Sequence, residues 1–160
     1  MRPFFGRKEY RIDPKGRILL SQEYYSKLNL TETSTIIITC SPYKSEKCLL
    51  VFSEEYWNRE VKRISKMDEG PVRKYLELNY ISKAEEIGLD TQNRIRIPKY
   101  MMDFANIDKD VVFAGAIDKL KIWAKETLET AENSLQVSDE LIDAALNKAN
   151  MFMPDEEEDR

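Results

Sequence analysis

The stretch Arg11-Ile12-Asp13-Pro14-Lys15-Gly16-Arg17-Ile18 returns in altered form as Gly88-Leu89-Asp90-Thr91-Gln92-Asn93-Arg94-Ile95, 77 positions later. With the chain laid over itself at that spacing, Leu20 falls on Ile97, Tyr25 on Met102 and Leu30 on Ile107. Further along the second copy is shorter by a few residues. There Thr35 to Cys40 (TIIITC) matches Val111 to Ala116 (VVFAGA), and Cys48 to Trp57 matches Leu120 to Glu129. A fixed order of bend, short amphipathic turn, strand, strand and helix, repeated over roughly 45 residues, constrains the whole fold. A unit of that size buries too little to stand alone. The two copies are therefore expected to pack on each other, or on a neighbouring chain, into one shared β structure.

The chemistry of the bends supports the match. Asp13 and Asp90 can accept hydrogen bonds from backbone two residues on, and Pro14 presets its own φ. Gly16 and Asn93 stand at equivalent places, and these residue types best tolerate positive φ. Asp13, Asp90 and Asn93 are thus expected to shape the turns. A strand should enter each bend and another leave it, Arg94-Ile95-Arg96-Ile97 showing the two-residue alternation of a half-buried strand.

Ser21 and Pro98 suit helix starts, and strands are expected at 35–40, 48–52, 111–115 and 119–123. Ser53 resembles an N-cap, with Glu54 and Glu55 in the first turn of a helix running to about Met67. Asp68-Glu69-Gly70-Pro71 breaks it, and a second helix should run from Pro71 towards Ile81. Leu128, Ala131 and Leu135 keep helical spacing, as do Leu141, Ile142, Ala145, Leu146 and Ala149, with Ser138 as a cap. Pro154 to Arg160 is a charge run without an apolar anchor, expected to be a disordered acidic tail.

Charge is distributed unevenly. The net charge of the 160 residues is −4. From Ala131 onward nine acids face two bases, a local −7 that leaves +3 on the first 130 residues. The first 17 residues hold six bases, Arg2, Arg7, Lys8, Arg11, Lys15 and Arg17, against Glu9 and Asp13. That +4 patch surrounds the opening bend, and a local patch matters more for phosphate binding than the total.

There is no histidine, which removes the usual triads, histidine-containing zinc sites and the commonest general base. No paired acid–base constellation replaces them, so an enzyme is not expected, and neither a cofactor, a metal nor a small-molecule substrate is implied. Cys40 and Cys48 fit no zinc spacing. They could approach across a hairpin, but are expected to be half-buried free thiols. No run of about 18 apolar residues offers a membrane span, and the N-terminus lacks a signal-peptide core, so a cytosolic protein is expected.

The functional reading of the first bend is phosphate and base contact. A tight loop carrying Lys15 and Arg17, with Arg7, Lys8 and Arg11 on the strand before it, presents positive charge at little entropic cost. The competing structural reading is that Asp13 and Arg17 simply pair across the turn, and for any single residue it stands slightly ahead. The second bend is less basic, with Gln92 and Asn93 in place of Lys15 and Gly16. Arg94 and Arg96 remain, so it is a weaker candidate for contact or mainly architecture. The aromatic series Tyr10, Tyr24, Tyr25, Tyr43, Phe52, Tyr56 and Trp57 is expected in cores or subunit contacts rather than in base stacking.

Phe4-x-Gly6, Ile12-Asp13-Pro14-Lys15-Gly16-Arg17 and the second Leu89-Asp90-Thr91-Gln92-Asn93-Arg94-Ile95-x-Ile97-Pro98 closely resemble the MraZ family. Asp110 to Gly115 and Leu120-Lys121-Ile122-Trp123 look like that family's closing strands, and the match covers roughly residues 4 to 130. The resemblance implies an α+β, mainly β fold. Two AbrB-like (SpoVT-AbrB) domains would form a swapped-hairpin, double-split barrel, spanning residues 4–53 and 83–127. A helical linker at 54–82, a C-terminal helical extension at 128–153 and the tail at 154–160 complete the chain.

The resemblance also implies a ring-shaped, octamer-like homo-oligomer. Its function would be that of a nucleoid-associated bacterial transcriptional regulator, binding promoter repeats in double-stranded DNA upstream of division and cell-wall genes. In that family the Lys-Gly-Arg of the first bend is implicated in DNA contact, which carries over to Lys15, Gly16 and Arg17. Arg7, Lys8 and Arg11 join them on charge alone. The alternative class is an AbrB-like antitoxin or a scaffold that binds no DNA. The chain departs from the family pattern at Leu20 to Ser26, which lacks the usual proline and arginine, and at Asn93, where glycine is usual. It departs again at Met101, Met102 and Asp103, where an arginine is usual, and in the acidic extension.

Overall fold

The computed structural model describes residues 3–28, 30 and 35–153; the tail expected at 154–160 lies outside them. Among the described residues the strands are β1 (Arg7–Arg11), β2 (Arg17–Leu19), β3 (Thr35–Cys40), β4 (Leu49–Phe52), β5 (Glu85–Gly88), β6 (Arg94–Arg96), β7 (Asp110–Gly115) and β8 (Leu120–Ala124). Six form an antiparallel sheet in the order β1-β7-β8-β4-β3-β5, and β2 and β6 form a separate ribbon.

The strands on either side of a bend do not pair with each other. β1 pairs with β7 of the other copy, Arg7 opposite Ala114 and Arg11 opposite Asp110. β5 pairs in the same way with β3, Gly88 opposite Thr35. Each copy is completed by the other, which is the exchange of a swapped-hairpin fold. Ile18 stands opposite its own equivalent, Ile95, in the ribbon, and Leu50 stands opposite Lys121 in the sheet. A pseudo-two-fold axis passes through both pairs.

The register corrects the repeat alignment by one residue. Lys8 stands opposite Phe113, and its equivalent Glu85 stands opposite Ile38, so Ile38 corresponds to Phe113. TIIITC therefore lies over Asp110–Gly115, not Val111–Ala116. Ile38 opposite Val51 and Phe113 opposite Ile122 likewise put Val51 over Ile122 and Ser53 over Ala124. Burial agrees, because Ile36 and Ile38 share one core with Val111 and Phe113, while Ile37 and Val112 share the other. A one-residue slip exchanges the faces of a strand, and β3 and β4 are apolar on both, so hydrophobicity alone could not fix their register.

The first core lies between the sheet and the ribbon, closed by the short helices α1 (Gln22–Lys27) and α4 (Lys99–Phe104). Ser21 caps α1 by accepting from the Tyr24 N–H. Phe113 carries Tyr10 at 4.8 Å and Tyr24 at 5.8 Å between ring centres. The second core lies on the sheet's other face under α2 (Glu54–Ser65), α3 (Pro71–Leu76) and α5 (Lys125–Ser134). Ser53 caps α2 as expected, its hydroxyl accepting from the Tyr56 N–H.

The helix expected over 71–81 is α-helical only to Leu76 and closes as a π-helical turn, Glu77–Ile81. That wider turn buries Tyr80, whose carbonyl accepts from the Thr39 hydroxyl at 2.6 Å and whose hydroxyl donates to Glu60 at 2.8 Å. α5 stops at Ser134, short of Leu135, which is 75% exposed. A last helix, α6 (Asp139–Asn150), is capped by Ser138. No helix among the described residues is long and apolar enough to cross a membrane.

At the open end of β7 the chain's start is held by close approach. A Cβ on Gly115 would lie 2.3 Å from the backbone nitrogen of Phe5, while Phe4 and Ile117 exchange backbone hydrogen bonds of 2.8 and 3.0 Å. Cys40 and Cys48 are free and fully buried, not half-buried, and they lie in different cores on opposite faces of the sheet. Burial pushes both thiols up, Cys48 to about 12. Since the thiolate is the reactive form, the folded protein should leave a thiol reagent at pH 8 unreacted, and both thiols should react after unfolding. A rapidly modified thiol in the native state would contradict this placement.

Candidate nucleic-acid interface

Asp13 builds the first bend. Its Oδ1 accepts from the backbone N–H groups of Lys15 and Arg17, both at 2.9 Å, and its Oδ2 accepts from Arg17 Nε at 2.7 Å. The Gly16 N–H closes the turn on the Asp13 carbonyl at 2.9 Å. Gly16 has φ +80°, and a Cβ there would meet the Ile97 carbonyl oxygen at 2.8 Å, so glycine is required both for conformation and for space.

Asp90 repeats the design. It accepts from the N–H groups of Gln92 and Arg94 at 2.8 and 2.9 Å and from Arg94 Nε at 2.8 Å. Asn93, with φ +61°, takes the glycine's conformation, so the departure from the family pattern there is absorbed without altering the turn. The Asp–Arg pairing and the basic loop coexist: each arginine is tethered through Nε to the aspartate that shapes its own bend.

The backbone N–H of Arg17 holds the Asp13 carboxyl below the usual range, helped by the Arg17 side chain and the Lys15 N–H. For Asp90 the Arg94 N–H leads, followed by the Gln92 N–H and the Arg94 side chain. A carboxyl depressed in the folded state stabilises fully above its unfolded value of about 3.9, and that contribution is lost as pH falls through the folded value. The stability gap between the wild type and an Asp13→Asn, Asp90→Asn variant should therefore be constant at neutral pH and shrink below about pH 4. Urea titrations across that range check it, and a gap that does not narrow would deny the carboxylates this role.

The two bends meet through the ribbon. In β2 and β6, Ile18 and Ile95 point into the first core, both essentially fully buried. The outer face sets Arg17 opposite Arg96 and Leu19 opposite Arg94. Lys15 and Gln92 stand in the bends at opposite ends, and Ile97 N–H donates to the Gly16 carbonyl at 2.8 Å. Three guanidinium groups thus share a ribbon of three residues per strand. Among the described residues Lys15 and Arg96 take part in no ion pair. Leu19, 60% exposed at the other end of the ribbon, was not singled out from sequence; its place opposite Arg94 is visible only once the copies are paired.

The residues of β1 separate. Lys8 lies on the ribbon side, its ammonium 5.9 Å from the Tyr24 ring centre. Strand alternation turns Arg7, Glu9 and Arg11 to the other face, where Arg7 pairs with Glu132 and Glu9 with Lys125 of α5. The structure therefore brings Lys15, Gly16 and Arg17 onto one ribbon with Arg94 and Arg96, with Gln92 at its other end, keeps Arg11 beside Asp13 and Pro14, and sets Arg7 apart against α5.

A family model described as MraZ protein, antitoxin-like, matches residues 4–75 and again residues 80–149. The chain belongs to the MraZ family. A Transcriptional regulator MraZ from Lachnoclostridium phytofermentans is 30% identical over 140 residues, 88% of this chain and 93% of its own. One from Thermoanaerobacter pseudethanolicus is 31% identical over 151 residues, 91% and 98% of the two chains. One from Bacteroides fragilis is 30% identical over 130 residues, 79% and 80%. The doubled MraZ match agrees with the doubled bend, and its second half runs through α5 into α6.

Proposed function

We propose that this MraZ protein is a sequence-specific DNA-binding transcriptional regulator that lays the outer face of its β2–β6 ribbon on duplex DNA. The observation that carries this reading is the ribbon itself, where Arg17, Arg94, Arg96 and Lys15 share one exposed face that Asp13 and Asp90 hold in shape. A two-stranded ribbon fits the major groove, and arginine binds guanine edges or phosphate through two parallel hydrogen bonds. Lys8 extends the positive surface, Arg11 lies beside Asp13 and Pro14 where the first bend begins, and Arg7 is held by Glu132 against α5, away from the bound duplex.

One ribbon carries few cations and binds weakly alone. A ring homo-oligomer, octamer-like in size, would engage several promoter repeats at once and gain by avidity. The repeats lie ahead of division and cell-wall genes, and the protein acts in the cytoplasm at the nucleoid, without cofactor or small-molecule substrate. A gel shift on the DNA upstream of its own gene, run against random duplex over a salt series, tests this. Retention should favour the upstream DNA, rise with repeat number and fall steeply with salt. The antitoxin-like description of the family model favours a second reading, a protein-binding partner or scaffold, for which the two duplexes would behave alike.

A further inference from the structure

Every residue from Glu132 to Met153 is exposed. This arm holds α6, whose Leu141, Ile142, Ala145, Leu146 and Ala149 keep helical spacing, and a 12-residue helix is marginal in water without a surface to pack on. Leu141 is 64% and Leu146 59% exposed. So large an unpartnered apolar face marks an interaction site.

A receiving surface exists on the same chain. A groove of about 500 Å³ between α2, α3 and the π turn is lined by Tyr43, Ile64, Met67, Val72, Leu76 and Tyr80. Tyr43 and Val72 there are 64% and 63% exposed. The charges complement one another. The stretch from Arg59 to Lys74 holds six bases against three acids, whereas α6 holds Asp139, Glu140 and Asp143 against Lys148.

The chain does not fill its own groove. Glu132, near the end of α5, pairs with Arg7 at the β1 edge of the sheet, while the groove lies beside Leu50 of β4. α6 is exposed along its whole length, and Tyr43 and Val72 stand open in the groove.

We infer that α6 of one copy docks in the α2–α3 groove of a second copy. Arm and groove are different surfaces, so the contact is head-to-tail, the kind that closes into a ring when the rotation permits. This inference rests on the ring reading and names the surfaces that build the ring.

The test uses full-length chains, Leu146→Asp in the arm and Val72→Asp in the groove, both at exposed positions so that folding is spared. Light scattering should find the wild type at a multiple of 18.8 kDa and each variant monomeric with a melting temperature near wild type. Mixed together, the two should form a 1:1 dimer and nothing larger, because one intact arm and one intact groove remain. Both variants should bind multi-repeat DNA about a hundredfold more weakly than wild type through lost avidity.

If only Leu146→Asp dissociates the assembly, arms pair with arms and the inference fails. If neither variant does, another surface builds the oligomer. A monomeric wild type would overturn both this inference and the ring. Binding of monomeric variants to single-repeat DNA at low salt reports separately on the ribbon, so failure of the DNA reading is distinguishable.

Discussion

Arg96→Ala should weaken operator binding by about 1–3 kcal/mol per ribbon, roughly five- to 150-fold, while leaving fold and assembly intact. Arg96 is exposed, makes no ion pair among the described residues and stands opposite Arg17, so its removal disturbs nothing else. Arg17→Ala is the less clean experiment, because it also takes the Nε donor from Asp13 and loosens the bend. In an assembly that engages several repeats the loss multiplies, and retention at physiological salt should vanish.

The form of the loss identifies the contact. A phosphate contact lowers affinity for all sequences alike and flattens the salt dependence, whereas a base contact relaxes discrimination at one position. Unchanged binding by Arg96→Ala together with weakened binding by Arg7→Ala would move the interface to the opposite face of β1.

The second large effect concerns stability. Ile18→Ala and Ile95→Ala should each cost about 2–5 kcal/mol, the range for emptying a fully buried aliphatic site. Domains of this size are stable by only about 5–15 kcal/mol, so either change brings the protein close to unfolding. Because the two side chains face each other on the pseudo-two-fold axis and line one cavity, the double variant should lose less than the sum. Urea midpoints supply all the values. A mild Ile95→Ala beside a severe Ile18→Ala would show that the ribbon's two halves do not share one core.

How much of this was legible beforehand depended on where side-chain chemistry is local. Asp13, Gly16, Asp90 and Asn93 announce their turns because the hydrogen bonds involved span four residues or fewer. Ser53 and Ser138 announce helix starts for the same reason. The strand exchange was legible only through the family resemblance, which implied a swapped-hairpin barrel, and not from the residues themselves. A repeat shows which positions are equivalent, and it is silent on whether β1 pairs within its own copy or with β7.

Register failed by one residue where β3 and β4 are apolar on both faces, since nothing in TIIITC distinguishes inside from outside. The candidate site divided along the same line. Lys15, Gly16 and Arg17 could be placed from the bend itself, yet the joining of Arg94 and Arg96 to them needed the β2–β6 pairing. Arg7 looked equivalent to Lys8 in a charge count, but strand alternation and Glu132 set it apart.

The crossed pairing of β1 with β7 has a consequence for how the protein comes into being. Arg7 waits for Ala114, 107 positions later. At synthesis rates of about 5–20 residues per second, that is a delay of roughly 5–20 s. Throughout it the first strand, with its basic bend, leaves the ribosome without the neighbour that will complete it. β3 is in the same position until β5 arrives. Folding is therefore held back until the closing strands are made, and a nascent chain released early carries two open strand edges, each a template for aggregation.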